Sequence, residues 1–235
     1  MLRLGISLFV IFFLFGCHKS SDSTENQSKP NENASPNSEI SNKIPEPKTE
    51  REPLDNQSIC RLKAIATISL EILVQIEKKS YRTGVSSEFY RKELSECHEK
   101  NYHCFYDRLN RIEGIALHRQ EVLVYNHSPS SNYYTQEFES CGQKSFGCKT
   151  HTLAKMNSAL LANMELDING YSALAKPFYE SIETCNYDVS CLLNLNGKMA
   201  ISMLQIKMNE ARGSYSDQEI PSVTKYNACD SLKND

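Results

Sequence analysis

The chain has 235 residues, 26 basic against 29 acidic for a net charge of −3, with 12 tyrosines and no tryptophan. A near-neutral balance without a basic stripe excludes a nucleic-acid surface built on charge. Nine cysteines, eight of them on a regular spacing, exclude an ordinary reducing compartment and point to export.

The first 16 residues read as a signal peptide of the lipoprotein type: Arg3 is the basic start, an apolar run follows from Leu4 to Phe15, and Leu14-Phe15-Gly16-Cys17 forms the cleavage box. A run of this length is too short to cross a bilayer, which takes about 20 residues. The mature chain is expected to begin at a lipidated Cys17, whose thioether and N-linked acyl chains, palmitate among them, would anchor it to a membrane. Residues 17–55 form a tether of Ser, Asn, Glu, Lys and Pro, with too little apolar area to offset the entropy of ordering. Because His18 follows Cys17 in place of the aspartate of inner-membrane retention, the expected location is the bacterial envelope, at the outer rather than the inner membrane.

From residue 56 the chain repeats. Cys60, Cys104, Cys148 and Cys191 are spaced 44, 44 and 43 apart, and Cys97, Cys141, Cys185 and Cys229 are 44 apart throughout. Eight residues after the opening cysteines stand Ile68, Ile112, Met156 and Met199, and thirteen after them Leu73, Leu117, Leu161 and Leu204, which is a helix stripe. Gln57, Asn101, Ser145 and Asp188, three residues before the opening cysteines, sit at N-cap positions. Each unit therefore opens with a long helix of about 20 to 24 residues. A second, shorter helix of about nine residues ends at the closing cysteine, with Leu94, Phe138, Ile182 and Tyr226 on one face and Pro177 and Pro221 in first-turn positions. Gly84, Ser128-Pro129-Ser130-Ser131, Gly170 and Gly213-Ser214 break the helices apart.

The expected fold is all-α: four disulfide-linked helical hairpins (56–100, 101–144, 145–187 and 188–231) stacked as an α-solenoid or a compact helical array, followed by a tail at 232–235. Two cysteine pairings suit the repeat. In the hairpin scheme the cysteines of one unit join, Cys60 with Cys97 and so on, and every thiol is used. In the junction scheme Cys97 joins Cys104, Cys141 joins Cys148 and Cys185 joins Cys191, leaving Cys60 and Cys229 at opposite ends without a local partner. The hairpin scheme is favoured because it is complete, although the chain must descend nearly extended to close it.

The aromatic face, closing cysteine, short turn and opening cysteine of Glu88-Phe89-Tyr90 through Cys97 to Cys104, and of Phe178-Tyr179 through Cys185 to Cys191, resemble the cysteine-rich Sel1-like repeats, a branch of the tetratricopeptide-like solenoids. The resemblance covers residues 56–231. It implies the junction pairing and a secreted scaffold that binds proteins or peptides on a concave face. It also brings in a less direct implication, an enzyme acting on cell-wall material.

The residues offer no catalytic constellation and no phosphate loop, dinucleotide glycine pattern, nucleophile elbow or metalloprotease helix. Cys97-His98 with His103-Cys104 has the ligand types of a zinc site, but the other junctions keep the cysteines without the histidines, so no metal or other cofactor is expected. Glu77, Glu121 and Glu165, seventeen after their opening cysteines, and Arg111, Lys155 and Lys198, seven after theirs, would form like-charge ladders along one edge of a stack. Such ladders are solvated faces or a means of recognising a charged partner. Tyr81, Tyr125, Tyr171 and Tyr215 fall near the end of each long helix, and Tyr133 and Tyr134 begin a short one. These rings either pack the turns or form an interface stripe. The function expected is a membrane-anchored scaffold with a protein or peptide partner. An inhibitor or immunity-type lipoprotein, using the segment from His127 to Tyr134 as an inserted loop, is the alternative.

Overall fold

The computed structural model describes residues 54–80, 85–142, 145–212 and 220–232. The signal peptide, Cys17, most of the tether, Tyr81, Gly84, Gly213-Ser214, Tyr215 and the last three residues lie outside the described residues. Four long helices, α1 (Asn56–Lys79), α3 (Tyr102–Tyr125), α5 (Phe146–Asn169) and α7 (Val189–Arg212), have 24 residues each. They alternate with the short helices α2 (Val85–Ser95), α4 (Ser131–Ser140), α6 (Ala175–Thr184) and α8 (Pro221–Ala228). A 3-10 turn, Cys229–Ser231, closes the described chain.

The expected caps are largely found. Asn101 and Asp188 accept from the amides of Cys104 and Cys191. Ser145 caps α5 without a side-chain bond, and at α1 the cap is Asp55, two residues before Gln57. Left-handed Asn126 and Gly170 end α3 and α5, a conformation that glycine adopts at no cost and asparagine tolerates. Pro221 occupies the first turn of α8, where its missing amide has no partner to lose.

The long helices run parallel and in register. Ser69 of α1 bonds Glu113 of α3, Glu113 bonds Asn157 of α5, and Tyr106 of α3 bonds Thr150 of α5, each pair being 44 residues apart. α1 packs against α3, α3 against α5, α5 against α7, and α7 against α1. The array is thus a closed ring of four around one axis. Positions 2, 5, 9, 12 and 16 after the opening cysteines line that axis, a three-four spacing that keeps one seam inward on parallel helices. In α1 these are Leu62, Ile65, Ser69, Ile72 and Ile76, and all twenty equivalents around the ring are buried. The short helices fill the outer grooves: α2, α4 and α6 each lie between the long helix of their own repeat and that of the next, and α8 packs on α1 and meets α7 through Tyr226.

Closure settles the disulfides. Cys97–Cys104, Cys141–Cys148 and Cys185–Cys191 join across the junctions, and Cys60–Cys229 completes the set, with Cα–Cα distances of 5.6–5.7 Å. The favoured hairpin pairing is therefore incorrect, because each short helix descends toward the foot of the following long helix and not toward its own. The premise that Cys60 and Cys229 lie at opposite ends fails as well: in a ring the ends meet. Arg61 Nη2 to Asp230 (2.8 Å) and Ser222 Oγ to Glu71 (2.7 Å) reinforce that seam. Since the long helices are parallel, all four bridges gather at one end of the ring, and the turns from long to short helices gather at the other.

Candidate interaction face

The loop end is organised by the three repeating glutamates. Glu77, Glu121 and Glu165 are 1–3% exposed, so they form no solvated ladder. Each stands near the end of its long helix and takes up the unpaired amides that begin the following short helix. Glu165 accepts from the amides of Ala173 (3.2 Å), Leu174 (2.8 Å) and Ala175 (3.1 Å) and from the Ser172 hydroxyl (2.7 Å). Glu121 accepts from the amides of Ser130 and Ser131 and from the hydroxyls of Ser128 and Ser130. Glu77 accepts from the Ser87 amide and hydroxyl and pairs with Arg119 at 2.5 Å. The N-caps of α4 and α6, Ser130 and Leu174, make no side-chain cap bond of their own, so the long helix supplies the acceptor. Burial pushes the Glu165 carboxyl up, but the Leu174 amide and the other donors overcome it and hold the group below the usual carboxylate range. Arg111 and Lys198 are exposed and Lys155 pairs with Glu137 at 3.6 Å. In a ring these equivalents are dealt out around the circumference and cannot line one edge.

Those caps also fix the His127–Tyr134 segment: it is a short turn tied to Glu121, leading straight into α4. Cys97 and Cys104 are bonded to each other, which removes both thiolates from the His98–His103 cluster.

What the loop end presents outward is apolar. Among the described residues twelve large hydrophobic side chains are exposed, and ten lie at this end or on the first two turns of the short helices. Val122, Leu123 and Tyr125 end α3, Ile168 and Tyr171 end α5, Leu174 precedes α6, and Val85 and Phe89 begin α2. Only Tyr187 and Leu232 lie at the disulfide end. Of the candidate rings, Tyr125 and Tyr133 are exposed, whereas Tyr134 is half-buried and packs against the core. Tyr133 and Tyr134 meet edge to face at 5.4 Å. Burial, with Tyr179 and Glu137 nearby, pushes the Tyr134 phenol above its ordinary value.

At the axis of the same end, four charges and an amide converge. Asp167 Oδ2 accepts from Lys79 Nζ (2.6 Å) and Gln120 Nε2 (3.0 Å), while Lys207 Nζ lies 3.8 Å away. Glu210 pairs with Lys207 (3.1 Å) and Lys79 (3.4 Å). Burial lowers the Lys207 ammonium, with Glu210 opposing. For Asp167, burial is outweighed by its bonds to Lys79 and Gln120, and its carboxyl is held low.

A further ionisable group lies deeper. Glu113, ninth after Cys104, sits fully buried on the axis, accepting from Asn157 (2.9 Å) and Ser69 (3.1 Å) through one oxygen. Burial pushes it up to about 8, with the two hydrogen bonds pulling the other way. The sequence signal was available: Ser69, Glu113, Asn157 and Ala200 share a register position on the inward seam, three of the four being polar.

Two surface depressions lie elsewhere on the described residues. One of about 230 Å³ lies on the α7–α1 seam beside Val74, Met208 and Ile220, and one of about 300 Å³ between Asp107, Arg111 and Lys149. No helix among the described residues is long and apolar enough to cross a membrane, and no group of three metal-ligating side chains occurs among them. The fold and its faces define a class: a disulfide-closed ring of four helical hairpins with an apolar loop end. No family model, curated protein or solved structure matches the chain.

Proposed function

We propose that this protein is a lipid-anchored scaffold of the cell envelope that captures a protein or peptide partner on the loop end of its ring. The observation that carries this reading is the one-sided exposure of apolar and tyrosine side chains, ten of the twelve among the described residues lying at the loop end or on the adjoining first two turns of the short helices. Such residues are costly to leave in water as a group and are the types enriched where proteins meet. Closure of the ring by Cys60–Cys229 leaves no concave solenoid groove among the described residues, so the end face takes the part that the concave face plays in open repeats.

The polarity of the ring supports an anchored arrangement. The chain enters α1 at the disulfide end, the end opposite the apolar face. The first residue of α1 is therefore remote from the proposed binding face.

A photo-crosslinking amino acid placed at Tyr125 or Tyr171 of the full chain, in its own envelope, tests the reading, with Tyr187 as control. Defined adducts from the first two positions and none from the third are expected. Equal labelling from all three, or none, overturns it.

A further inference from the structure

The nineteenth residues after the opening cysteines, Lys79, Leu123, Asp167 and Glu210, close the axis at the loop end. Asp167 and Glu210 come from adjacent helices and share two cations of opposite character. Lys207 is fixed, with its side chain 1% exposed, whereas Lys79 is 41% exposed and lies over the carboxylates from the solvent side. Beneath them is an unmet demand. Gln120 is completely buried and its Nε2 is used on Asp167, yet Oε1 of the same amide has no hydrogen-bond partner among the described residues. A buried acceptor left without a donor costs about 1–3 kcal/mol. Four parallel helices also end here, each contributing roughly half a negative charge at its C-terminus, so the field at the mouth favours a cation beyond the two present.

We propose that this axial mouth is a recognition pocket for a basic side chain of the protein partner, which displaces Lys79 from the Asp167–Glu210 pair and donates to Gln120. The inference rests on the loop-end reading above and names the chemistry of its centre. A lysine or arginine head carries three or five N–H donors, enough for two carboxylates and the amide oxygen together. Its aliphatic stem would lie along Leu123, at the nineteenth position of its repeat, and Ile168, one residue past that position in the next; both are exposed in the free protein. Lys79 holds the pocket closed to water until the partner arrives, so the intramolecular pair is exchanged for an intermolecular one and no carboxylate is left uncompensated.

The test is a methyl NMR titration of the full chain, read at Leu123 and Ile168, with capped arginine amide and capped lysine amide as probes and capped norleucine amide as the neutral isostere. Saturable shifts with the basic probes and none with norleucine are expected. K79M, which removes the competitor from an exposed site, should tighten probe binding about fivefold, the worth of an ion pair of this exposure, and D167N should abolish it. Probe binding that is absent, matched by norleucine, or unchanged or weakened in K79M overturns the proposal. Should D167N fail to fold, K79M and Q120L carry the test, Q120L being expected to weaken binding by removing the orphan acceptor. Loop-end crosslinks in the envelope without probe binding would remove this inference alone; probe binding without crosslinks would remove the scaffold reading and leave the pocket.

Discussion

Cys60 and Cys229 are 169 residues apart in sequence and 5.7 Å apart at their Cα atoms, and their bridge is the only one of the four to span the whole ring. The other three close loops of six or seven residues. In the chain-entropy account a loop of 169 residues contributes about 5 kcal/mol, against about 2.4 kcal/mol for a loop of seven. The double substitution C60S/C229S should therefore cost about twice as much as C97S/C104S, measured by urea unfolding of the oxidised proteins. Non-reducing peptide mapping should recover a Cys60–Cys229 peptide pair. Equal costs for the two variants would mean that the α7–α1 seam holds without its bridge.

The caps supply a second comparison, because the fourth repeat lacks one. Seventeen after Cys191 stands Met208, where the other repeats have glutamate. Glu165→Ala strands three backbone amides at the start of α6, each bound to that carboxylate in the native ring. A loss of about 2–4 kcal/mol is expected from their desolvation, with hydrogen exchange of Leu174 and Ala175 accelerated first. Reversing Glu77, Glu121 and Glu165 to lysine would consequently test folding, not partner binding.

Stability should depend on pH through two carboxyls of opposite sign. Glu113 holds its proton up to about 8 in the native ring and to about 4.5 when unfolded. Its contribution is full below pH 4.5 and lost as pH rises toward 8, by at most about 1.4 kcal/mol per unit. Glu165 is depressed in the native state, so its contribution is present above 4.5 and lost as pH falls through its native value. From these two groups a maximum near pH 4.5 follows. Glu113→Gln should flatten the alkaline limb and leave the acid limb in place; an unchanged alkaline slope would show that Glu113 is not the group responsible.

The repeat, the helix lengths and the use of eight cysteines in disulfides were legible because each depends on local pattern. The 24-residue helices follow from the apolar stripes, and Asn101 and Asp188 cap as their residue types require. Ring closure was not legible, because nothing within one repeat says whether the first meets the last. That missing relation decided the pairing of Cys60, and it turned the supposed ladder of Arg111, Lys155 and Lys198 into residues spread around a circle. The glutamates were misread for a different reason. Charge suggests solvent, yet a carboxylate is also the strongest acceptor for the first amides of a helix, and here the helix lies in the next segment of chain. The axial mouth combines positions from all four repeats, whose nineteenth residues differ, so no periodic signal marks it.

A final prediction comes from comparing the repeats with one another. Six residues after the opening cysteines stand Ala66, Asn110, Ala154 and Gly197, and three before the closing cysteines stand Leu94, Phe138, Ile182 and Tyr226. In the fourth repeat a Cβ on Gly197 would run into the ring of Tyr226, so the glycine exists to admit the tyrosine. Tyr226 is 4% exposed, and its hydroxyl donates to the carbonyl of Asn194 at 3.3 Å, a bond made on the α7 backbone that the absent side chain uncovers. Gly197→Ala should therefore destabilise by about 1–3 kcal/mol through overpacking, despite alanine's better helix propensity. The third repeat supplies the compensation, since alanine there sits in the same register as isoleucine. Gly197→Ala combined with Tyr226→Ile should recover most of the loss, giving a coupling of more than about 1 kcal/mol in a double-mutant cycle. Strict additivity of the two substitutions would mean that Tyr226 moves aside at no cost.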